Sequence, residues 1–165
     1  MTRFLDRNPG VPGALATWWH GLDRDRGARA ELRRCETPLE VMLTPAFHAA
    51  RTRLVAVGLD DAHEPVRTRI AAVIGLLAHV QGEGGKSPAA AFSESQDGRP
   101  PVSPLRFRRI LAAQDDTELY RLLRRVLPLA PTLNFLALAS DVLDWSDATR
   151  KRWVYAYRWP AKQEA

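Results

Sequence analysis

One stretch constrains the fold more than any other. Between Glu64 and Gln81, apolar residues fall at Val66, Ile70, Val73, Leu77 and Val80, in steps of four, three, four and three. At 3.6 residues per turn these side chains line one helix face for about five turns. A half-buried strand would alternate with a period of two, and no run in the chain does so convincingly. Leu119, Leu122, Leu123 and Val126 share one side of a second segment, from Asp115 to Leu127. Leu136, Ala139 and Leu143 do the same from Leu133 to Leu143. The pattern predicts an all-α protein.

Helix starts are marked as clearly. Thr37-Pro38-Leu39-Glu40 combines an N-cap, a proline at the first helical position and a glutamate placed to complete a capping box. Thr44-Pro45 and Ser103-Pro104 repeat the cap-then-proline signal. Asp115 with Glu118 predicts another cap, and Ser146-Asp147 opens a last helix running to about Arg158. The segment 82–102, GEGGKSPAAAFSESQDGRPPV, is rich in Gly, Pro and Ser and reads as a loop, with at most a turn of helix at Pro88–Phe92. The expected architecture is a compact bundle of about seven to nine helices. Residues 1–165 form one domain, with helical halves at 1–81 and 103–165 joined by that loop. No internal repeat is present.

Composition narrows the class. The 45% hydrophobic fraction suffices for a packed core. The single cysteine, Cys35, excludes an internal disulfide framework and a zinc ribbon. No apolar run approaches the ~18 residues of a membrane span, and MTRFLDRNPGVPG lacks the apolar region of a secretory signal. These features point to a soluble cytoplasmic protein. The 24 Lys+Arg against 19 Asp+Glu give +5, with the surplus mainly in residues 103–165. Of the basic residues 21 are Arg, whose planar fork matches phosphate geometry; a GC-rich genome gives the same bias.

Catalytic patterns are missing. His20, His48, His63 and His79 form no HxxxH or HExxH pair, so no metal site is expected. Gly82, Gly84 and Gly85 lack the strand–helix setting of a phosphate cradle, and there is no nucleophile elbow. Asp60/Asp61, Asp115/Asp116 and Asp141/Asp144 are carboxylate pairs better suited to caps and solvated surface than to acid–base work. Cys35 reads as a buried structural thiol. No catalytic residue and no cofactor is predicted.

Arginine clusters are the positive signal. Arg26, Arg29, Arg33 and Arg34 form one group. Arg106 and Arg109 lie three residues apart, Arg121, Arg124 and Arg125 oppose a leucine face, and Arg150, Lys151 and Arg152 open the last helix. Such groups serve a phosphate-binding surface, which needs charge and no base-reading side chain. They equally serve a solvated face with local pairs such as Glu118–Arg121 or Asp147–Lys151. Trp18, Trp19, Trp145, Trp153, Tyr155, Tyr157 and Trp159 cluster near the termini. Core packing is their more frequent use, with base stacking or a protein interface open to the exposed members.

In order along the chain stand Trp18-Trp19…Leu22, Gly27-x-Arg29-Ala30-x-Leu32-Arg33-Arg34, Pro45-Ala46-Phe47 and Leu76-Leu77-Ala78. After the Gly/Ser-rich gap come Arg106-Phe107-x-Arg109-Ile110-Leu111, Leu122-Leu123-Arg124-Arg125 and Trp145…Trp153…Tyr157. This series resembles the CasB family, the small subunit of the type I-E CRISPR surveillance complex Cascade. The resemblance implies a helical protein without enzymatic activity. It implies a pair of copies lying along the complex, contacts with the backbone subunits, and a basic surface that holds the guide RNA–target DNA R-loop and the displaced DNA strand. The positions it implicates in nucleic-acid binding are Arg33, Arg34, Arg106, Arg109, Arg124, Arg125, Arg150 and Lys151. A small helical adaptor that binds only a protein partner is the rival reading.

Overall fold

The computed structural model describes residues 3–161. Its elements run α1 (Phe4–Arg7), α2 (Val11–Gly21), α3 (Arg26–Arg34), α4 (Pro38–Met42), α5 (Pro45–Ala56), α6 (Glu64–Leu77), β1 (Gly82–Glu83), α7 (Pro88–Ser93), α8 (Pro104–Leu111), α9 (Asp116–Val126), β2 (Thr132–Leu133), α10 (Phe135–Leu143) and α11 (Asp147–Ala156). Short 3-10 turns follow α2 at Leu22–Arg24 and α9 at Leu127–Leu129.

The all-α reading is borne out, with more helices than expected. Among the described residues there are eleven rather than seven to nine. The surplus is short: α1, α4 and α7 have four to six residues. Helices of that length do not persist alone, and caps and burial hold α4 and α7. Thr37 Oγ1 accepts the Glu40 amide while Glu40 accepts the Thr37 amide, the capping box read from sequence. Ser87 caps α7, whose Ala89, Ala91 and Phe92 enter the core. The segment expected as a loop therefore carries a packed helix.

Helix α6 is the axis of the molecule. Ile70 through Leu77 are all buried, because α4, α9 and α10 close around it. Gly75 allows the closest approach: a Cβ there would stand 2.6 Å from Tyr120 Oη and 2.7 Å from Val41 Cγ2. The core is continuous from Phe4 to Tyr157. It takes in Trp18, Trp19, Trp145, Trp153 and Tyr157, while Tyr155 is 89% exposed. β1 and β2 form a two-residue parallel ladder, Gly82 opposite Thr132 and Glu83 opposite Leu133. It ties the exit of α6 to the entry of α10, a pairing too short to leave an alternating signature in sequence.

Candidate nucleic-acid interface

Helix α8 begins at its Ser103 cap and Pro104, and buries Phe107 and Ile110. That inward pair turns Arg106 and Arg109 out along one side, one turn apart. Helix α9 begins at Asp115, which accepts the Glu118 amide, while Glu118 reaches back to the Gln114 amide. It buries Leu119, Tyr120, Leu123 and Val126 and leaves Arg125 exposed. Where the two helices meet, Arg106, Arg109 and Arg125 rim a concavity of about 360 Å³ whose remaining lining is Ile110, Leu122 and Val126. No carboxylate lines it, and among the described residues none of the three guanidiniums forms an ion pair. Three forks of fixed charge over an apolar floor suit an anion with several acceptor oxygens. The apolar floor could not be assigned from sequence, since Ile110 and Leu122 belong to different helices.

The other implicated residues divide. Arg33 donates from Nε to the Ala78 carbonyl at 2.9 Å, and Arg124 donates from Nη2 to the Arg33 carbonyl at 2.9 Å. Both are half-buried ties joining α3, α9 and the end of α6. Burial, with Arg29 nearby, lowers the Arg33 pKa. Arg34 is exposed at a shallow hollow on α3 shared with Arg26, Arg29, Ala30 and Arg33. Arg29 there pairs with Asp23 at 3.2 Å. On α11, Arg150 lies over Trp145 and 3.7 Å from Asp147, while Lys151 is exposed. Asp147 thus pairs with Arg150 where the sequence suggested Lys151. The structure brings Arg106, Arg109 and Arg125 together, and Arg33, Arg34 and Arg124 into a second group; Arg150 and Lys151 stand on a separate helix.

Beneath the Arg33–Arg124 tie lies His79. Burial foremost, then Arg124 and Arg33, push its pKa down to about 4, so the imidazole is neutral. Its Nε2 is buried without a hydrogen-bond partner. Tyr120 Oη donates to the Cys35 carbonyl at 3.0 Å. Burial also raises the Cys35 thiol pKa, as expected of a structural cysteine.

The carboxylate pairs serve structure. Asp141 accepts from Arg3 (2.6 Å), Trp153 Nε1 (2.8 Å) and Arg152 (3.3 Å), while Asp144 accepts the Phe4 amide. Asp61 receives a two-pronged bond from Arg51, which holds its carboxyl below the usual range. Asp115 is a cap and Asp116 pairs with Arg69. Among the described residues no group of three or more His, Cys, Asp or Glu could hold a metal, and no helix is long and apolar enough to cross a membrane.

A family model of CRISPR-associated protein Cse2 matches residues 28–157. The chain belongs to the Cse2 family. This bears out the CasB resemblance drawn from the ordered motifs, and the match takes in all eight implicated basic residues. A chain in a crystal structure of E. coli Cascade bound to a PAM-containing double-stranded DNA target shares the fold. It is 20% identical with a TM-score of 0.67, over 86% of this chain and 94% of that one. No curated protein matches the sequence.

Proposed function

We propose that this Cse2-family protein is the non-catalytic small subunit of a type I-E CRISPR surveillance complex in the cytoplasm. It holds the guide RNA–target DNA R-loop, including the displaced strand, through arginine–phosphate contacts. One observation carries the reading: Arg106, Arg109 and Arg125 converge over an apolar floor with no carboxylate among them. The family match and the structural likeness to a Cascade chain supply the setting. Guide pairing reads sequence, so the protein needs only backbone contacts. R-loop formation is a near-balanced strand exchange, so a few such contacts tip it. Arg34 and Lys151 extend the contact surface, while Arg33, Arg124 and Arg150 support it through the ties described above. The net charge of +5 is small for a protein that binds DNA alone. Affinity then comes from avidity within the assembly, among the backbone subunits and a second copy of this chain.

The test is the Arg106→Ala/Arg109→Ala/Arg125→Ala variant in the assembled complex. All three residues are exposed, so the melting temperature should hold while R-loop lifetime shortens. The salt slope of binding should fall by roughly one per lost phosphate contact. An unchanged lifetime and slope at matched salt defeat the proposal. They would favour the protein-only adaptor, for which the exposed Leu39 on α4 and Leu43 just after it, 65% and 75% accessible, are the supporting observation.

A further inference from the structure

Helix α8 carries two of the three arginines of the concavity, yet its own anchorage is slight. Only Phe107 and Ile110 are fully buried, with Leu111 half-buried against the core. Ile110 faces α9 across the concavity floor. Phe107 is fully buried, and its aromatic neighbours come from the far end of the chain. Tyr157 stacks on it with ring centroids 4.1 Å apart and planes 15° from parallel. Trp159 meets it edge-on at 5.6 Å, and Trp153 lies parallel at 6.3 Å.

Hydrogen bonds fix the same segment. Tyr157 Oη donates to the Val102 carbonyl at 2.7 Å, one residue before the Ser103 cap of α8. The Arg158 amide donates to Ser93 Oγ at 2.8 Å. Trp159 Nε1 donates to the Val154 carbonyl at 2.9 Å, and the Arg108 guanidinium of α8 lies 5.6 Å from its ring. The residues that follow α11 thus fold back as a clasp over α8. An isolated eight-residue helix has no stability of its own, so its place is set by what packs on it.

We propose that Tyr157 and Trp159 are positioning residues for the arginine concavity. They hold α8 against α9 at the separation that lets Arg106 and Arg109 act with Arg125 on neighbouring phosphates. The inference rests on the phosphate reading of that concavity. Charge-assisted hydrogen bonds from guanidinium to phosphate are short and directional. Loosening α8 therefore costs contacts even though every arginine remains.

The test compares full-length Tyr157→Ala, Trp159→Ala and Tyr157→Phe with Val11→Ala, a buried truncation on α2. Two quantities are read: amide hydrogen exchange of residues 104–111, and the salt slope for binding a single-stranded DNA oligonucleotide at low salt. An aromatic contact of this kind corresponds to a roughly two- to tenfold change in an opening equilibrium. Tyr157→Ala and Trp159→Ala should speed α8 exchange by at least that factor, since truncation also removes buried area, and should lower the salt slope. Tyr157→Phe keeps the stacked ring and should keep most of both. Val11→Ala should lower the melting temperature and leave both untouched. Unchanged α8 exchange in Tyr157→Ala overturns the inference. So does a loosened α8 with a wild-type slope, when the triple arginine variant does lower the slope. If the triple variant leaves the slope alone, the phosphate reading fails, and α8 exchange by itself decides whether the clasp positions the helix.

Discussion

His79 gives the protein a calculable acid sensitivity. The imidazole is buried under two guanidiniums, and its pKa falls from an ordinary 6.5 to about 4 in the folded state. Between those values the unfolded chain binds a proton that the folded chain refuses. Stability therefore rises with pH through this window, is complete above 6.5, and is lost as pH falls toward 4. The gap corresponds to about 3 kcal/mol, or a melting temperature lower by very roughly 6–12 °C in a chain of this size. The assay is thermal or urea unfolding at pH 7, 5.5 and 4, for the wild type and for His79→Phe, which keeps the ring volume and cannot titrate. The wild type should lose about 3 kcal/mol more than the variant between pH 7 and 4. Asp61, whose carboxyl Arg51 holds low, loses its contribution only as pH drops below its ordinary value, outside this window. Parallel pH profiles for the two proteins refute the reasoning, since a titration confined to His79 must vanish with the side chain.

Other substitutions probe other parts of the core. Asp141→Ala removes the acceptor of the buried Trp153 indole N–H. The cost should be about 1–3 kcal/mol in urea unfolding, with little added by the accessible Arg3 and Arg152; an unchanged midpoint contradicts this. Gly75→Ala drives a methyl into Tyr120 and Val41, and should cost about 1–3 kcal/mol by overpacking the α6–α9 contact; a neutral substitution would show that α9 can move aside. The triple arginine variant of the concavity should melt like the wild type while its R-loops decay faster.

Much of this architecture is local in origin, and what is local is legible. Thr37, Thr44, Ser103, Asp115 and Ser146 each accept the amide three residues on, as their spacing implies. The period across 64–81 located α6, but it showed one stripe where the structure buries every side from Ile70 to Leu77. Ala71, Ala72, Ile74 and Leu76 are enclosed because α4 and the distant α9 and α10 surround α6. The site divides along the same line. Arg106 and Arg109 were visible as neighbours because their helix sets their spacing. The roles of Arg33 and Arg124 were not visible, because their acceptors are carbonyls 45 and 91 residues away. A backbone carbonyl is the same atom in every residue, so it leaves no mark in the sequence. Trp159 was equally opaque: its contact with Phe107 depends on the chain turning back after Ala156.

The enclosure of α6 also bears on how the molecule is made. Translation delivers this apolar helix early, while α9 and α10, which cover it, emerge much later. At roughly 5–20 residues per second the delay is about three to thirteen seconds. During that interval Ile70 to Leu77 form a sticky nascent segment next to the ribosome. Pairing of β1 with β2 cannot begin until residue 133 is free of the exit tunnel. Codons that slow synthesis between residues 78 and 133 would therefore lengthen the time this segment is exposed to aggregation.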